Sequence, residues 1–159
     1  MIQFKNNLQV FLFGLALLSM QGQLAQAEEM DQTQTQTHFY AEDIKEAMHL
    51  HLREVLDQEG LFHIQDDVTD ESLTLTFSQI HDPVRQIGSD IYFACTDFKI
   101  SDQTDQVYDI DFWLRENQGQ LKVFRTKIHK EPRKSLLYGW YKHPRYTFVN
   151  DQIQYLYDD

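Results

Sequence analysis

The chain has 159 residues, with 25 acidic side chains against 14 basic ones and a formal net charge of −11 at pH 7. This length suits a single domain with one hydrophobic core. The net negative charge argues against nucleic acid, and against an anionic membrane surface, as the partner.

The first 27 residues have the features of a secretory signal peptide. Lys5 precedes an apolar run over residues 8–20, and Ala25-Gln26-Ala27 fits the small-x-small rule for cleavage after Ala27. The run is shorter than the about 20 apolar residues of a membrane helix, and no later segment approaches that length. We therefore predict an exported protein, periplasmic or secreted, with no membrane span in the processed chain.

Residues 28–37 alternate Gln with Thr and are predicted to form a disordered leader to a single domain over residues 38–159. That domain begins with a predicted amphipathic helix of about five turns within residues 38–60. Gly60 is its expected C-terminal cap. Apolar residues recur there at three- and four-residue spacing, at Ile44, Ala47, Met48, Leu52, Val55 and Leu56.

From Leu61 onward the apolar period is two, which predicts strands. In "QVYDIDFWLRE" (residues 106–116) one face carries Tyr108, Ile110, Phe112 and Leu114, and the other carries Asp109, Asp111, Trp113 and Arg115. Residues 61–65, 71–80, 91–100 and 120–130 give further strands. The aromatic tail after residue 130 has no clear period, and residues 146–149 are a candidate edge strand.

These elements predict an α+β roll: one long N-terminal helix packed on a four- to five-stranded antiparallel sheet, with the aromatic C-terminal tail on the sheet. The order of elements over residues 40–130 resembles the cystatin-like architecture, which cystatins share with the nuclear-transport-factor-like cone folds. Cystatins carry a Gln-x-Val-x-Gly loop that does not occur in this sequence, so the resemblance does not imply protease inhibition. The cone-fold enzymes have more helices before their sheet, so it does not imply a deep enclosed pocket.

Cys95 is the only cysteine, and it lies in a strand that is apolar on both faces. Such a strand is usually central and covered twice, here by the helix and by the aromatic tail. Free cysteine is among the most buried residue types, and no second cysteine offers a disulfide or a redox pair within the chain. We therefore predict a structural cysteine, with an intermolecular disulfide as the alternative.

Three residues are candidate metal ligands: His51, Asp109 and Asp111. His51 lies in the apolar stripe of the helix, so it faces the sheet, and the two aspartates alternate on one strand about 7 Å apart. Further ligands would have to come from the sheet, where His63, His81 and His129 are the candidates. The simpler account makes His51 a core residue and pairs both aspartates with Arg125 and Lys127 on the next strand.

Residues 120–147 contain eight basic side chains and only one acid, Glu131. This strip either complements the protein's own acidic residues or binds an anionic partner. The aromatic side chains of the tail either cover the sheet as core or form an interaction surface, since Tyr and Trp are frequent in binding hot spots. The candidate binding residues are Trp113, Arg125, Lys127, Trp140, Tyr141 and Arg145.

The sequence contains no Gly-rich phosphate loop, no Ser-His-Asp pattern and no nucleophile elbow, and no cofactor is predicted. The preferred hypothesis is a small exported, non-catalytic accessory or binding protein that holds a protein partner or a small ligand. One alternative is a metal- or small-molecule-dependent enzyme on a cone-like helix-plus-sheet scaffold. The other is a structural component of an envelope complex.

Overall fold

A computed structural model describes residues 38–157, whose one helix, α1, spans Ala41–Val55. Its first turn is closed by the carboxylate of Asp43, which accepts a hydrogen bond from the backbone amide of Tyr40 at 2.8 Å. The four side chains that the helix buries all belong to the predicted apolar stripe: Ile44, Ala47, Met48 and Leu52.

The helix ends earlier than the sequence predicts. Leu56 has extended backbone, so α1 has about four turns rather than five, and Gly60 belongs to the following turn instead of capping the helix. The carboxylate of Asp57 organises that turn, because it accepts hydrogen bonds from the amides of Glu59 at 3.0 Å and Leu61 at 2.7 Å. A side chain that competes for backbone amides in this way favours a turn over another helical turn.

The described residues form an α+β structure of one helix and a curled antiparallel sheet. Seven strands build that sheet in the order β1-β2-β4-β5-β6-β7, with β3 also paired to β4, and β8 and β9 form a separate hairpin. The strands are β1 (Leu61–Gln65), β2 (Ser72–Ile80), β3 (Arg85–Ile87), β4 (Ile91–Ile100), β5 (Gln103–Asn117), β6 (Gln120–Ser135), β7 (Gly139–Pro144), β8 (Tyr146–Val149) and β9 (Gln152–Tyr155).

The predicted count of four to five strands is too low. Strand β6 continues past residue 130 to Ser135, and the tail adds β7 and the β8–β9 hairpin. Residues 146–149 pair with β9 and not with an edge of the main sheet. These strands escape prediction because they are half covered, so aromatic and polar side chains occur at both alternating positions.

One face of the sheet packs against α1, and we call it the helix face. It carries the alternating apolar residues of β5, of which Ile110, Phe112 and Leu114 are fully buried. The ring of Phe112 lies 6.3 Å from that of Phe62 and 6.4 Å from that of Phe98, measured between centroids. This ring cluster is the centre of the larger of the two apolar cores.

The opposite face is covered by the β8–β9 hairpin, and we call it the hairpin face. Its apolar core contains Phe93, Trp113 and Tyr146, with Phe148 packed against them. The ring of Phe148 lies 5.2 Å from that of Phe93. Part of the aromatic tail is therefore core, and strand β4 is covered on both faces.

Within residues 38–157, no helix has the length and apolar character needed to cross a bilayer. The predicted signal peptide, its cleavage after Ala27 and the predicted leader over residues 28–37 lie outside the described residues.

Candidate functional site

The register of strands β4 and β5 brings Cys95 and two aspartates together on the hairpin face. Cys95 lies directly opposite Asp111, and Asp97 lies opposite Asp109. The side chains of Asp109 and Asp111 are 0 % exposed, and Tyr146 of the C-terminal hairpin contacts Asp111. Two carboxylates buried on one sheet face are costly unless cations or hydrogen bonds compensate them.

A β-bulge in β6 adds His129 to this group. Asp109 pairs with Lys130 while Ile110 pairs with Ile128, so His129 has no partner residue on β5. His129 and Lys130 consequently both face the aspartates, with His129 Nδ1 3.4 Å from Asp111 and Lys130 Nζ 2.7 Å from Asp109. Bulges commonly redirect side chains in this manner.

The result is a cluster of possible metal-ligand atoms formed by Cys95, Asp109, Asp111 and His129, which we call the four-donor cluster. One ligand atom from each of these residues lies within 4.8 Å of the others. The set combines a sulfur, an imidazole nitrogen and two carboxylates, which is the donor chemistry of transition-metal sites.

The carboxylate of Asp111 is only partly satisfied. Its Oδ2 atom accepts a hydrogen bond from the hydroxyl of Tyr146 at 2.8 Å, whereas its Oδ1 atom is buried without a hydrogen-bond partner among the described residues. Within those residues no Lys or Arg forms an ion pair with Asp111, and its nearest basic group is the His129 ring. An unsatisfied buried acceptor costs about 1–3 kcal/mol, and more when it is charged.

The hydrogen bonds of His129 fix its tautomer. Its Nε2 atom lies 3.1 Å from the backbone oxygen of Tyr146, and because a carbonyl oxygen only accepts, Nε2 must carry the hydrogen. In the neutral ring Nδ1 then presents a lone pair, and this buried atom has no hydrogen-bond partner among the described residues. The ring is held in place by stacking on Tyr146, with centroids 4.6 Å apart.

Cys95 is a protonated thiol in this environment. Burial raises its pKa first, and the negative charges of Asp111 and Asp109 raise the pKa further. The thiol donates a hydrogen bond to Asp109 Oδ1. A cation in the four-donor cluster would reverse this field and favour the thiolate.

A neighbouring group of charges on the same face is already balanced. Asp97 lies next to Asp109, and Lys142 Nζ sits between them at 2.8 Å from Asp97 and 3.9 Å from Asp109. His81 Nε2 lies 2.9 Å from Asp97. Burial raises the pKa of Asp97, but hydrogen bonds from Lys142, His81 and Gln79 outweigh burial and lower it. His81, Asp97 and Asp109 also lie within metal-ligand distance of one another. In this second group Lys142 neutralises Asp97, and among the described residues none of the three has a buried side-chain polar atom without a hydrogen-bond partner.

The structure does not bring His51 to Asp109 and Asp111. His51 lies on α1 with its ring 5.7 Å from that of Phe112, on the helix face, and burial lowers its pKa. The two aspartates alternate with Phe112 along β5 and so lie on the opposite face. The prediction that His51, Asp109 and Asp111 form one metal site is therefore wrong, because the sheet lies between the imidazole and the two carboxylates.

The predicted cross-strand partners of the aspartates also differ. Arg125 lies opposite Trp113, with its guanidinium carbon 4.7 Å from the ring centroid. Lys127 lies opposite Asp111 as predicted, but its ammonium forms an ion pair with Asp67. Lys130 pairs with Asp109 instead, because the bulge places Lys130, and not His129, opposite that aspartate. The basic strip is therefore largely complementary to the protein's own acids.

The remaining candidate binding residues do not form one surface. Trp113 is buried beneath the hairpin, and Arg145 is buried in ion pairs with Asp66 and Glu131. Trp140 is half-buried and Tyr141 is exposed, both on β7. A cavity of about 90 Å³ lies beside Lys127 and Arg145, but the charges of both are already paired.

Sequence reasoning missed Cys95 as a candidate ligand, and named His129 only among possible additional ones. Alternation shows which residues share a face with Cys95 within β4 and with Asp111 within β5. Only the alignment of the two strands shows that Cys95 and Asp111 lie opposite each other. Nothing in the alternation of β6 signals the bulge at His129.

Comparison of the chain with known proteins found no matching family model, no matching curated protein and no matching solved structure. The resemblance to the cystatin-like architecture therefore stays a prediction, and function has to be argued from the site itself.

Proposed function

We propose that the chain is a small exported binding protein whose ligand is a divalent transition-metal ion of the Zn²⁺ class, held by the four-donor cluster. The observation that carries the proposal is the pair of buried atoms without hydrogen-bond partners in the described part of the chain, Asp111 Oδ1 and His129 Nδ1. Both residues belong to the group whose ligand atoms converge within 4.8 Å. Export rests on the signal-peptide pattern that ends at Ala27.

A metal ion would resolve the electrostatic conflict between His129 and Asp111. The neutral imidazole presents a lone pair at Nδ1, and the carboxylate beside it is also electron-rich, so attraction between them requires a proton or a metal cation. A proton on Nδ1 would serve only Asp111 Oδ2, which lies 3.4 Å away and already accepts the Tyr146 hydroxyl. A metal ion could also bind the Oδ1 atom of Asp111, which has no hydrogen-bond partner among the described residues. This supports a bound metal ion over a proton on His129.

The donor set supports the Zn²⁺ class over the hard cations. Mg²⁺ and Ca²⁺ prefer oxygen ligands, whereas sulfur and imidazole nitrogen favour zinc and its neighbours among the transition metals. Four protein ligands match the tetrahedral coordination of Zn²⁺. The ion would hold Cys95 as the thiolate, with release of its proton.

Groups around the ligands support the same assignment. The Nε2–H of His129 points to the carbonyl oxygen of Tyr146, which leaves Nδ1 to bind a metal. The Tyr146 hydroxyl orients Asp111, and the Lys130 ammonium orients Asp109. Metal-binding histidines nearly always donate their second N–H to such an acceptor, and this contact sets both tautomer and ring orientation.

Burial favours a binding role over catalysis. Catalytic zinc sites keep one coordination position open for water or substrate, whereas closed sites use four protein ligands. Asp109 and Asp111 are fully buried, with Tyr146 of β8 in contact with Asp111 and with Lys130 and Lys142 close to Asp109. A binding protein is therefore preferred here to the metal-dependent enzyme considered from the sequence.

Metal content and affinity test the proposal. The processed protein, purified without chelator, is analysed by native mass spectrometry, and chelator-treated protein is titrated with Zn²⁺ and Co²⁺. We expect one metal equivalent per chain, and a thiolate-to-cobalt absorption band that disappears in Cys95→Ser. His129→Gln and Asp111→Asn should each bind Zn²⁺ at least about 100-fold more weakly, since removing a ligand should cost at least what removing its supporting contacts costs.

The matched control is His51→Gln, which removes an imidazole from the helix face and should leave Zn²⁺ affinity unchanged. Circular dichroism checks that each variant is folded. Absence of stoichiometric metal from the wild type in both experiments would overturn the proposal. So would a loss of affinity in His51→Gln equal to the loss in His129→Gln.

A further inference from the structure

The turn between β6 and β7 exposes three consecutive apolar side chains, which we call the apolar tip. Leu136, Leu137 and Tyr138 are 106 %, 83 % and 82 % exposed, the highest values for large hydrophobic side chains in the described part of the chain. Single exposed hydrophobic residues are ordinary, but contiguous ones usually mark an interaction site. The four-donor cluster does not involve this turn.

Behind the apolar tip, the hairpin pairs a basic side chain with an aromatic one at two successive levels. Ser135 pairs with Gly139, then Lys134 with Trp140, and then Arg133 with Tyr141. The ammonium of Lys134 lies 5.8 Å from the centroid of the Trp140 ring. At about 3.3 Å per strand residue, the Lys134–Trp140 level lies about 7 Å from the residues of the tip.

This order matches the layers of a phospholipid bilayer. Aliphatic side chains enter the acyl region, Trp and Tyr rings sit at the headgroup level, and Lys and Arg extend to the phosphates. The spacing of about 7 Å agrees with the depth of about 5–10 Å to which interfacial segments insert.

We infer that the protein docks on the surface of a phospholipid bilayer by inserting Leu136, Leu137 and Tyr138. Trp140 and Tyr141 then lie among the headgroups, and Lys134 faces the lipid phosphates, whereas Arg133 stays paired with Glu131. The contact is peripheral and reversible, because one short turn supplies all of the inserted surface. It is independent of the proposed metal site.

The net charge of −11 argues against an anionic membrane as partner, because the electric field of the whole protein repels such a surface. Charge near the tip has the opposite sign. Residues 132–150 contain no acidic side chain, and the nearest acid, Glu131, is already paired with Arg133 and Arg145. Insertion into a zwitterionic bilayer therefore meets no carboxylate at the point of contact.

The layered order also favours a bilayer over a protein as the occupant. A protein groove selects a particular shape, and it gives no reason for an apolar end to be followed by two levels that each pair an aromatic with a basic side chain. Two aliphatic side chains bury enough apolar surface to weaken partitioning at least about 100-fold when both are replaced by charged residues.

Vesicle flotation and tryptophan emission test the inference. The processed chain, checked by intact mass for removal of residues 1–27, is mixed with phosphatidylcholine vesicles. We expect it to float with the vesicles and its emission to shift to shorter wavelengths. Because Trp113 is already buried, the shift reports Trp140 and disappears in Trp140→Phe. The double variant Leu136→Asp/Leu137→Asp should partition at least about 100-fold more weakly.

Leu50→Asp, which makes one substitution of the same kind at an exposed leucine of α1, is the control and should float as the wild type does. A wild type that stays free of vesicles and shows no emission shift overturns the inference. Flotation of the double variant equal to the wild type overturns it too. If the wild type ignores vesicles but self-associates in sedimentation, and the double variant does not, the occupant of the tip is a second copy of the chain.

Discussion

Arg145 and Asp66 form a bidentate ion pair across 79 positions of sequence, with nitrogen–oxygen distances of 2.7 Å and 2.6 Å. Asp66 lies just after β1 and is almost fully buried, and it also accepts hydrogen bonds from the amides of Val68 and Thr69. Arg145, between β7 and β8, contacts Glu131 with the same guanidinium. This pair ties the β1–β2 loop to the start of the C-terminal hairpin.

Replacement of Asp66 by Asn should destabilise the protein substantially. Loss of one partner of a buried ion pair leaves the other charge uncompensated, at a cost of about 3–5 kcal/mol. Because Glu131 still contacts Arg145, we expect a loss of about 3 kcal/mol in the free energy of unfolding, measured by urea denaturation. Asp90→Asn removes an exposed carboxylate 3.2 Å from Arg115 and should cost less than about 1 kcal/mol. Equal losses in the two variants would contradict the prediction.

The same pair should make stability fall in acid. Burial opposes the ionisation of Asp66, but hydrogen bonds from Arg145 and from backbone amides outweigh it and lower its pKa from 3.8 to about 2. A carboxyl group whose pKa is lower in the folded state stabilises the protein above its unfolded pKa. That contribution is lost as the pH falls through the folded pKa. Stability from Asp66 should therefore decline between about pH 4 and pH 2.

Urea denaturation of the wild type and Asp66→Asn from pH 6 down to pH 2 measures this decline. The difference in unfolding free energy between the two proteins should shrink toward the acid end, because the wild-type carboxyl group becomes protonated there. If the difference in unfolding free energy stays constant over this range, the pKa of Asp66 is not lowered in the folded protein and the prediction is wrong.

Phe112 should be among the most sensitive core positions. Its fully buried ring lies among Phe62, Phe98 and His51, beneath the helix. Phe112→Ala removes these contacts and leaves a cavity, so we expect a loss of about 3–5 kcal/mol in the free energy of unfolding. Phe124→Ala is the matched control, because that ring on β6 is half exposed. Its loss should be within about 1 kcal/mol, and a similar loss at both positions would contradict the assignment of the core.

Cys95 should be nearly inert to thiol reagents in the folded, metal-free protein. Only the thiolate reacts, and burial together with the charges of Asp111 and Asp109 raises the pKa of this thiol. At pH 8 we expect reaction at least about 100-fold slower than in denaturant, followed with a chromogenic disulfide reagent. The double variant Cys95→Ser/Ser78→Cys moves the thiol to an exposed position of β2 and should react at the ordinary rate. Cys95 is half-buried, so rapid labelling of the native protein would contradict the raised pKa of this thiol.

Patterns that depend on one element at a time were predictable from the sequence. The apolar stripe of α1 and the alternation of Ile110, Phe112 and Leu114 follow from the helical and strand periods, and the structure has both. The two apolar faces of β4 likewise predict that other elements pack on both sides of this strand, and they do. The predicted length of the helix was wrong because Asp57 takes up backbone amides that another turn would need.

Relationships between elements were not predictable in the same way. Whether Asp109 lies opposite His129 or Lys130 depends on one extra residue in β6, and apolar alternation carries no signal for it. His129 joins Asp111 for the same reason. The contact of Arg145 with Asp66 depends on the path of the whole tail. The strands of the tail are half covered, so their sequence does not show the alternation of apolar and polar residues that would predict them.

Tyr146 contributes twice to the four-donor cluster, with its hydroxyl on Asp111 and its carbonyl oxygen on His129. It follows every proposed ligand in the chain, and His129, the last of them, by 17 positions. A nascent chain that stops before Tyr146 therefore contains all four ligands but neither of these orienting contacts. Synthesis of Tyr146 therefore has to precede closure of the site, and a metal ion that meets the chain earlier finds four ligands without their orienting contacts.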